Sequence, residues 1–352
     1  MPSPYDLTRE EWTSHLANLP RFRADQVWRG LWEEGRDLSE LTSVPRSLRD
    51  ELTHSFPPSL TVLSSVESDR GSTVKWAFRL PDGATVETVL MVYADRVTVC
   101  VSSQAGCAMG CTFCATGQAG FTRHLTAGEV LEQVMFAVRA AAPRRVSNVV
   151  FMGMGEPLAN YAVTSEVLRR LHHDRGMSAR HLTVSTVGVA PAIERLAREG
   201  LPVTLAVSLH AANDETRSEL VPLNRRYPIA RLREACETWI DVTGRRVSFE
   251  WALIDGVNDT DRSADELAAL ARPLRAHVNL IPLNPTPGFL VRGSTRERVR
   301  EFRDELRDRG VAVSVRDTRG RSIAAACGQL AYVTEGRRRP VTLGARRTPD
   351  SD

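Results

Sequence analysis

The sequence predicts an α/β protein built from six strand–helix units in series, because two patterns alternate along its middle and caps separate them. Short β-branched runs recur at residues 97–101, 149–152, 181–186, 202–208, 246–254 and 278–283. Helical periodicity fills the gaps. Thr126-Ala-Gly-Glu129 and Ser263-Ala-Asp-Glu266 have the capping-box spacing of helix starts, and Val299, Phe302 and Leu306 form the apolar stripe of a helix ending before Gly310. Strands that alternate with helices lie parallel and are joined by right-handed crossovers. Six units fall short of the eight that close a TIM barrel, so a partial barrel and a doubly wound sheet both satisfy the pattern.

Ahead of these units, residues 1–58 read as a small helical domain. Thr8-Arg-Glu-Glu11 opens one helix, residues 22–32 place Val27, Leu31 and Trp32 near one face, and a third helix over 46–54 is stopped by Pro57-Pro58. Its plainer role is a capping appendage without chemistry. Residues 59–95 form an extension in which runs 75–80 and 86–92 flank Pro81-Asp82-Gly83, the turn of a β-hairpin. The units themselves occupy 96–335, and 336–352 reads as a basic, disordered tail.

A chain of 352 residues at 42% hydrophobic is long enough for a large core. No run approaches the ~18 apolar residues of a membrane span, and the start of the chain lacks the basic-then-apolar pattern of a signal peptide. The expectation is a cytoplasmic monomer with no membrane partner. Net charge is +3, too small for a global field, but residues 288–352 hold 15 arginines against 9 acidic residues, a local +6. Lys75 is the only lysine.

Cysteines in such a compartment are reduced, so their spacing points to metal or redox chemistry. They are Cys100, Cys107, Cys111, Cys114, Cys236 and Cys327, and Cys107-Ala-Met-Gly-Cys111-Thr-Phe-Cys114 places three within eight residues, directly after a strand. A CxxxCxxC loop can wrap three thiolates around one corner of an iron–sulfur cube and leave one iron open. Zinc on the same thiolates is the alternative, in a non-enzymatic RNA-binding module. On spacing alone Cys100 and Cys327 read as buried small hydrophobes, and Cys236 sits in a helical pattern as a structural residue.

CxxxCxxC with Phe113 before the third cysteine resembles the signature of the radical S-adenosylmethionine superfamily. Val101-Ser-Ser-Gln-Ala-Gly-Cys107, Met152-Gly-Met-Gly-Glu-Pro157, Ser208-Leu-His210, Asn284-Pro-Thr-Pro-Gly288, Asp317-Thr-Arg-Gly320 and Ala326-Cys-Gly-Gln-Leu330 together resemble the adenine carbon-2 RNA methyltransferases of the RlmN family, over Leu19 to Leu330. The resemblance implies the partial (βα)6 TIM-like barrel. It also implies a 4Fe–4S cluster on Cys107, Cys111 and Cys114, two S-adenosylmethionine molecules per turnover, and an electron donor of the flavodoxin or ferredoxin type.

Cofactor contacts are implied at Gly155 and Glu156, where glycines admit a ligand and the carboxylate can accept from an ammonium. Ser185, Ser208, Leu209, His210 and Asn284, at strand ends facing one barrel mouth, complete the set. A satisfied core histidine is the plainer reading of His210. By family chemistry Cys327 is methylated, loses a hydrogen to the radical, and joins adenine as a thioether that Cys100 then attacks, leaving a Cys100–Cys327 disulfide. The detour makes chemical sense because carbon 2 of adenine is electron-poor and accepts a carbon radical but not a sulfonium methyl. Glu87 matches the family's base for the ring proton; on alternation alone it is a solvent-facing carboxylate.

Ribosomal 23S RNA and tRNA are the implied substrates, with Arg316, Arg319 and Arg321 around the Cys327 loop available for phosphates, and the target adenine extruded from any helix. A related carbon-8 methyltransferase that confers antibiotic resistance shares every cysteine discussed. The stretches MGMGEPLANY and TVSTVG favour carbon 2.

Overall fold

The protein is seen in a computed structural model that describes residues 2–284, 286, 291–316, 320, 323–324 and 328–330. Cys327, Arg319, Arg321 and the basic tail lie outside the described residues.

Three helices open the chain, α1 (Arg9–His15), α2 (Phe22–Trp32) and α3 (Arg46–Ser55). The expected capping box is formed: the Thr8 hydroxyl accepts from the Glu11 N–H at 3.2 Å and the Glu11 carboxylate accepts from the Thr8 N–H at 2.7 Å. Their apolar faces bury Trp12, Leu31, Trp32 and Leu52.

Next come β1 (Thr61–Ser68), β2 (Thr73–Arg79), β3 (Thr85–Val92) and β4 (Val97–Cys100). A two-stranded ribbon, β5 (Gln104–Gly106) and β6 (Phe121–His124), brackets α4 (Ala115–Ala119), and α5 (Ala127–Ala141) follows. The remainder is β7 (Asn148–Phe151), α6 (Tyr161–His173), β8 (Leu182–Thr186), α7 (Ala190–Ala197), β9 (Thr204–Ser208), α8 (Asp214–Leu220), α9 (Ile229–Thr243), β10 (Ser248–Leu253), α10 (Asp261–Ala271), β11 (His277–Pro282), α11 (Arg296–Asp308) and β12 (Ala312–Val315).

One ten-stranded sheet runs in the order β1-β2-β3-β4-β7-β8-β9-β10-β11-β12. Strands β1 to β4 are antiparallel neighbours, and from β4 onward every pairing is parallel. The parallel part never reverses direction, whereas a doubly wound sheet must reverse at its switch point. Every crossover therefore steps the same way and leaves its helix on the same face, which is the winding of a partial barrel. The six strand–helix units stand where expected, and β12 adds a seventh parallel strand.

The hairpin is present, with Arg79 opposite Thr85 and Gly83 at φ +85° in the turn. It is not a separate arm: β3 pairs with β4, and β1 extends it at the edge. Along the parallel strands one phase is apolar and fully buried against the helices, as with Val149, Val184, Leu205, Val207 and Trp251. The other phase, with Ser185, Ser208, Glu250 and Ile281, faces a cavity. Among the described residues no helix is long and apolar enough to cross a membrane.

The N-terminal helices are bolted to the barrel's outer helices. Buried Arg170 of α6 donates to the carbonyls of Tyr5 and, at 2.6 Å, Leu7, and its guanidinium lies 4.7 Å from the Trp32 ring centre. Glu132 of α5 accepts from the Ser59 N–H at 2.8 Å. Burial outweighs that hydrogen bond and pushes the Glu132 carboxyl up to about 8.

Arg170→Ala strands buried carbonyls and is expected to lower the unfolding free energy by about 3 kcal/mol in urea denaturation. The folded protein keeps a proton on Glu132 that the unfolded chain releases near pH 4.5, so this contribution to stability is present below 4.5 and lost as pH rises through about 8. Glu132→Gln is therefore expected to exceed wild type by up to about 5 kcal/mol at pH 9 and to match it at pH 4.

Candidate active site

The cysteine loop is shaped by what surrounds it. Just past β4, Ser102 is a junction: its hydroxyl donates to the Glu87 carbonyl at 2.6 Å, and accepts from the Met154 N–H at 2.9 Å. Its N–H donates to Gln133 of α5 at 2.8 Å. One buried hydroxyl thus joins β3 to the loops after β4 and β7. Gly106 then turns the chain at φ +77°, where any Cβ would stand 2.0 Å from the Gly120 carbonyl oxygen; only glycine lets the β5–β6 ribbon close there.

Beyond that turn the three thiols line one cavity of about 980 Å³, open mouth included. Cys111 is buried, and Cys107 and Cys114 are half-buried. Burial, with Cys114 and Glu156 nearby, pushes the Cys107 thiol up to about 12, and Cys111 is raised well above its ordinary range for the same first reason. Thiols held protonated in this way become good ligands only when a cationic group draws the protons off, as an iron–sulfur cluster does. Among the described residues no three His, Cys, Asp or Glu side chains are gathered closely enough to close on one metal ion; a cube of irons takes its thiolates at separate corners. The donor set fits the cluster.

Gly155 and Glu156, after β7, form the next wall. Gly155 has φ +98°, and an added Cβ would lie 2.5 Å from the Gln104 Cβ. Glu156 is 2% exposed. Its carboxylate accepts from the Leu158 and Val187 N–H groups at 2.9 and 2.8 Å, and its own N–H donates to Gln104 Oε1 at 2.8 Å. Burial pushes its carboxyl up to about 7, with those two N–H donors acting against the rise.

Ser185 of β8, Ser208 of β9 and Asn284 after β11 face the same cavity. His210, at φ +60°, does so as well, with its ring 4.6 Å from that of Phe113. Its Nδ1 accepts from the Ala252 N–H at 3.0 Å. Burial, aided by Arg217, depresses the imidazole to about 3, so it is neutral. His210 is thus a satisfied core histidine at one nitrogen, and its ring also edges the cavity.

Leu209 is different. It is fully buried and does not line the cavity; the chain alternates there, and its side chain enters the core while its carbonyl accepts from Arg217 Nε at 3.1 Å. Cys100, at the end of β4, is buried between Val89 of β3 and Val150 of β7, outside the cavity lining. Glu87 is not solvent-facing. It is 1% exposed, with Oε1 2.7 Å from the Lys75 ammonium. Cys236 is fully buried on α9. Among the described residues there is no disulfide, and the expected partner of Cys100 lies outside them. Gly328, the residue after Cys327, does line the cavity, and its carbonyl accepts from the Ala115 N–H at 2.7 Å.

Two contributors carried no sequence signal. Arg217, 1% exposed, donates to Val187 O at 2.6 Å, Leu209 O and, at 2.8 Å, Asn224 Oδ1, tying the ends of β8 and β9 together; in the sequence it is one arginine among many. Glu250, inside the barrel on β10, accepts from Asn279 at 2.9 Å and lies 3.5 Å from the Arg316 guanidinium at the cavity wall.

A family model described as the radical SAM superfamily matches residues 101–271, the stretch holding the cysteine loop and the strand ends after it. A Frankia alni protein named "Probable dual-specificity RNA methyltransferase RlmN" is 54% identical over 96% of this chain and 84% of its own length. The protein of the same name from Parafrankia sp. is 54% identical over 93% of this chain and 90% of its own. The crystal structure of a radical SAM methyltransferase from Sphaerobacter thermophilus superposes with a TM-score of 0.91, at 51% identity, over 94% of this chain and 99% of that one. Such agreement along nearly the whole chain is far more than a shared barrel demands, and the chain belongs to the RlmN family of radical SAM RNA methyltransferases.

Proposed function

We propose that this protein methylates carbon 2 of adenosine in 23S ribosomal RNA and in tRNA, with Cys327 carrying the methyl group and Cys107, Cys111 and Cys114 holding three irons of a 4Fe–4S cluster. The observation that carries this reading is that the three-thiol loop, the Gly155–Glu156 turn and Gly328, next in sequence to Cys327, line one cavity. When bound, the cluster and two molecules of S-adenosylmethionine per turnover supply a transferable methyl group and a carbon-centred radical.

The chain's own residues divide the remaining work. Glu156 offers a desolvated carboxylate, which gains by receiving an ammonium. Ser185, Ser208, Asn284 and neutral His210 supply the polar contacts for the cofactor's ribose, carboxylate and adenine. The S-methyl group of Cys327 gives up a hydrogen atom, its carbon bonds to carbon 2 of adenine as a thioether, Glu87 takes the carbon-2 proton, and the one electron left over would pass to the bound cluster. The Cys100 thiolate then attacks the Cys327 sulfur: a sulfur–sulfur bond forms, the carbon–sulfur bond breaks, and its electron pair takes a proton to complete the methyl group. The two cysteines are left as a disulfide that a dithiol reductant must reopen before the next turnover, while a flavodoxin- or ferredoxin-type donor supplies the single electron that the bound cluster would use. Arg316, at the cavity wall, offers a cation toward the RNA backbone.

Mass spectrometry of nucleosides from RNA treated with the reconstituted enzyme is expected to find 2-methyladenosine; methyl on carbon 8 would sink the carbon-2 assignment. Cys327→Ala is expected to lose methyl transfer by at least about a thousandfold. Cys100→Ala is expected to accumulate RNA covalently joined to protein, and clean turnover by that variant removes its resolving role.

A further inference from the structure

Lys75 is the single lysine among 46 basic residues. Its side chain, on β2, is 12% exposed, and its ammonium lies 2.7 Å from Glu87 Oε1. The same Nζ donates to the carbonyl of Ala324 at 3.1 Å, across 249 positions of sequence. Ala324 stands three residues before Cys327. A second grip comes from the same part of the sheet: Asp69 Oδ2, in the turn between β1 and β2, accepts from the Gly320 N–H at 3.0 Å and from the Thr73 hydroxyl at 2.7 Å. On the other side of Cys327, α4 holds Gly328 through Ala115 and the Leu330 carbonyl through the Thr116 hydroxyl.

The antiparallel extension thus fastens the segment before Cys327, and the cysteine-loop helix fastens the segment after it. Lys75 alone among these contacts touches both that segment and the carboxylate assigned as base. Its chemistry suits the place. An ammonium is a compact charge with three tetrahedral donors, able to meet a carboxylate and a carbonyl at once, whereas a guanidinium is a planar fork built for two parallel bonds.

We propose that Lys75 is a positioning residue: its ammonium holds the Glu87 carboxylate and the segment leading to Cys327 in one register, so that proton acceptor and methyl carrier reach the same adenine carbon. This rests on the roles given above to Glu87 and Cys327. Lys75 itself touches no reacting atom; it acts through Glu87.

The test is a double-mutant cycle in the reconstituted full-length enzyme, with Lys75→Met, Glu87→Gln and the pair. Each single variant is expected to slow formation of 2-methyladenosine by at least about tenfold and to accumulate protein–RNA adduct, while methylation of Cys327 stays within about twofold of wild type. The double variant is expected to be no slower than the slower single. Multiplying effects, wild-type turnover in Lys75→Met or Lys75→Arg, or loss of Cys327 methylation in Lys75→Met overturns the proposal. Wild-type turnover in Glu87→Gln instead overturns the base assignment, so a second measurement reads the contact without turnover. Because the chain has one lysine, acetylation by an N-hydroxysuccinimide ester, read by mass spectrometry on the Lys75 peptide and so kept apart from the N-terminal amine, reports on one side chain, and Lys75 is expected to react at least about tenfold faster in Glu87→Gln than in wild type. Equal rates overturn the coupling.

Discussion

Everything at this site follows from a winding constraint. The parallel strands from β4 to β12 succeed one another in chain order, so each crossover packs on the outer face and the inner face receives no helix. Period-two alternation then gives every strand two audiences. The outer phase supplies the apolar core, and the inner phase is free to be polar at Ser185, Ser208 and Glu250. A doubly wound order would have covered those same serines with helices.

Desolvation tunes the groups that this inner face presents. His210 is kept neutral, Glu156 is drawn toward neutrality, and Cys107 and Cys111 are held protonated, in each case chiefly by burial. Apart from the Arg316–Glu250 pair, these groups carry little charge of their own, and they favour ligands that bring positive charge or take protons away. Arg217 gives this environment its rigidity, because its three donor groups bind carbonyls and an amide instead of a carboxylate.

The legible parts of the sequence were those with strong local chemistry. The capping boxes at Thr8 and Thr126, the Pro81-Asp82-Gly83 turn and the β-branched runs each declare themselves within a few residues, and the cysteine loop does so through its spacing; the box expected at Ser263 is not formed, because α10 starts one turn earlier with Thr260 as its cap and Ser263 donating its N–H to the Thr260 hydroxyl. Strand β1 did not, because an edge strand of Thr, Ser and Glu with little burial has no apolar phase to read. Strand β12 is four residues long and half-exposed, too short for alternation to register. Glu87 is hard to place for a different reason: alternation alone assigns a carboxylate to solvent, and only the tertiary structure shows it buried beside Lys75. Leu209 shows the same limit from the other side, since a contiguous motif Ser-Leu-His must still send alternate side chains to opposite faces.

The contacts that finish the site join residues very far apart in the chain: 249 positions between Lys75 and Ala324, 214 between Thr116 and Leu330, and 251 between Asp69 and Gly320. Synthesis proceeds from the N-terminus, and segments fold as they emerge. The cysteine loop and the strands through β11 are thus available to assemble before the residues beyond Arg316 have been made. The contacts of Gly320, Ala324, Gly328 and Leu330 therefore form after these strands, on a surface already in place. A chain truncated before this segment keeps the cysteine loop and loses Cys327 together with the long-range contacts of Gly320, Ala324, Gly328 and Leu330.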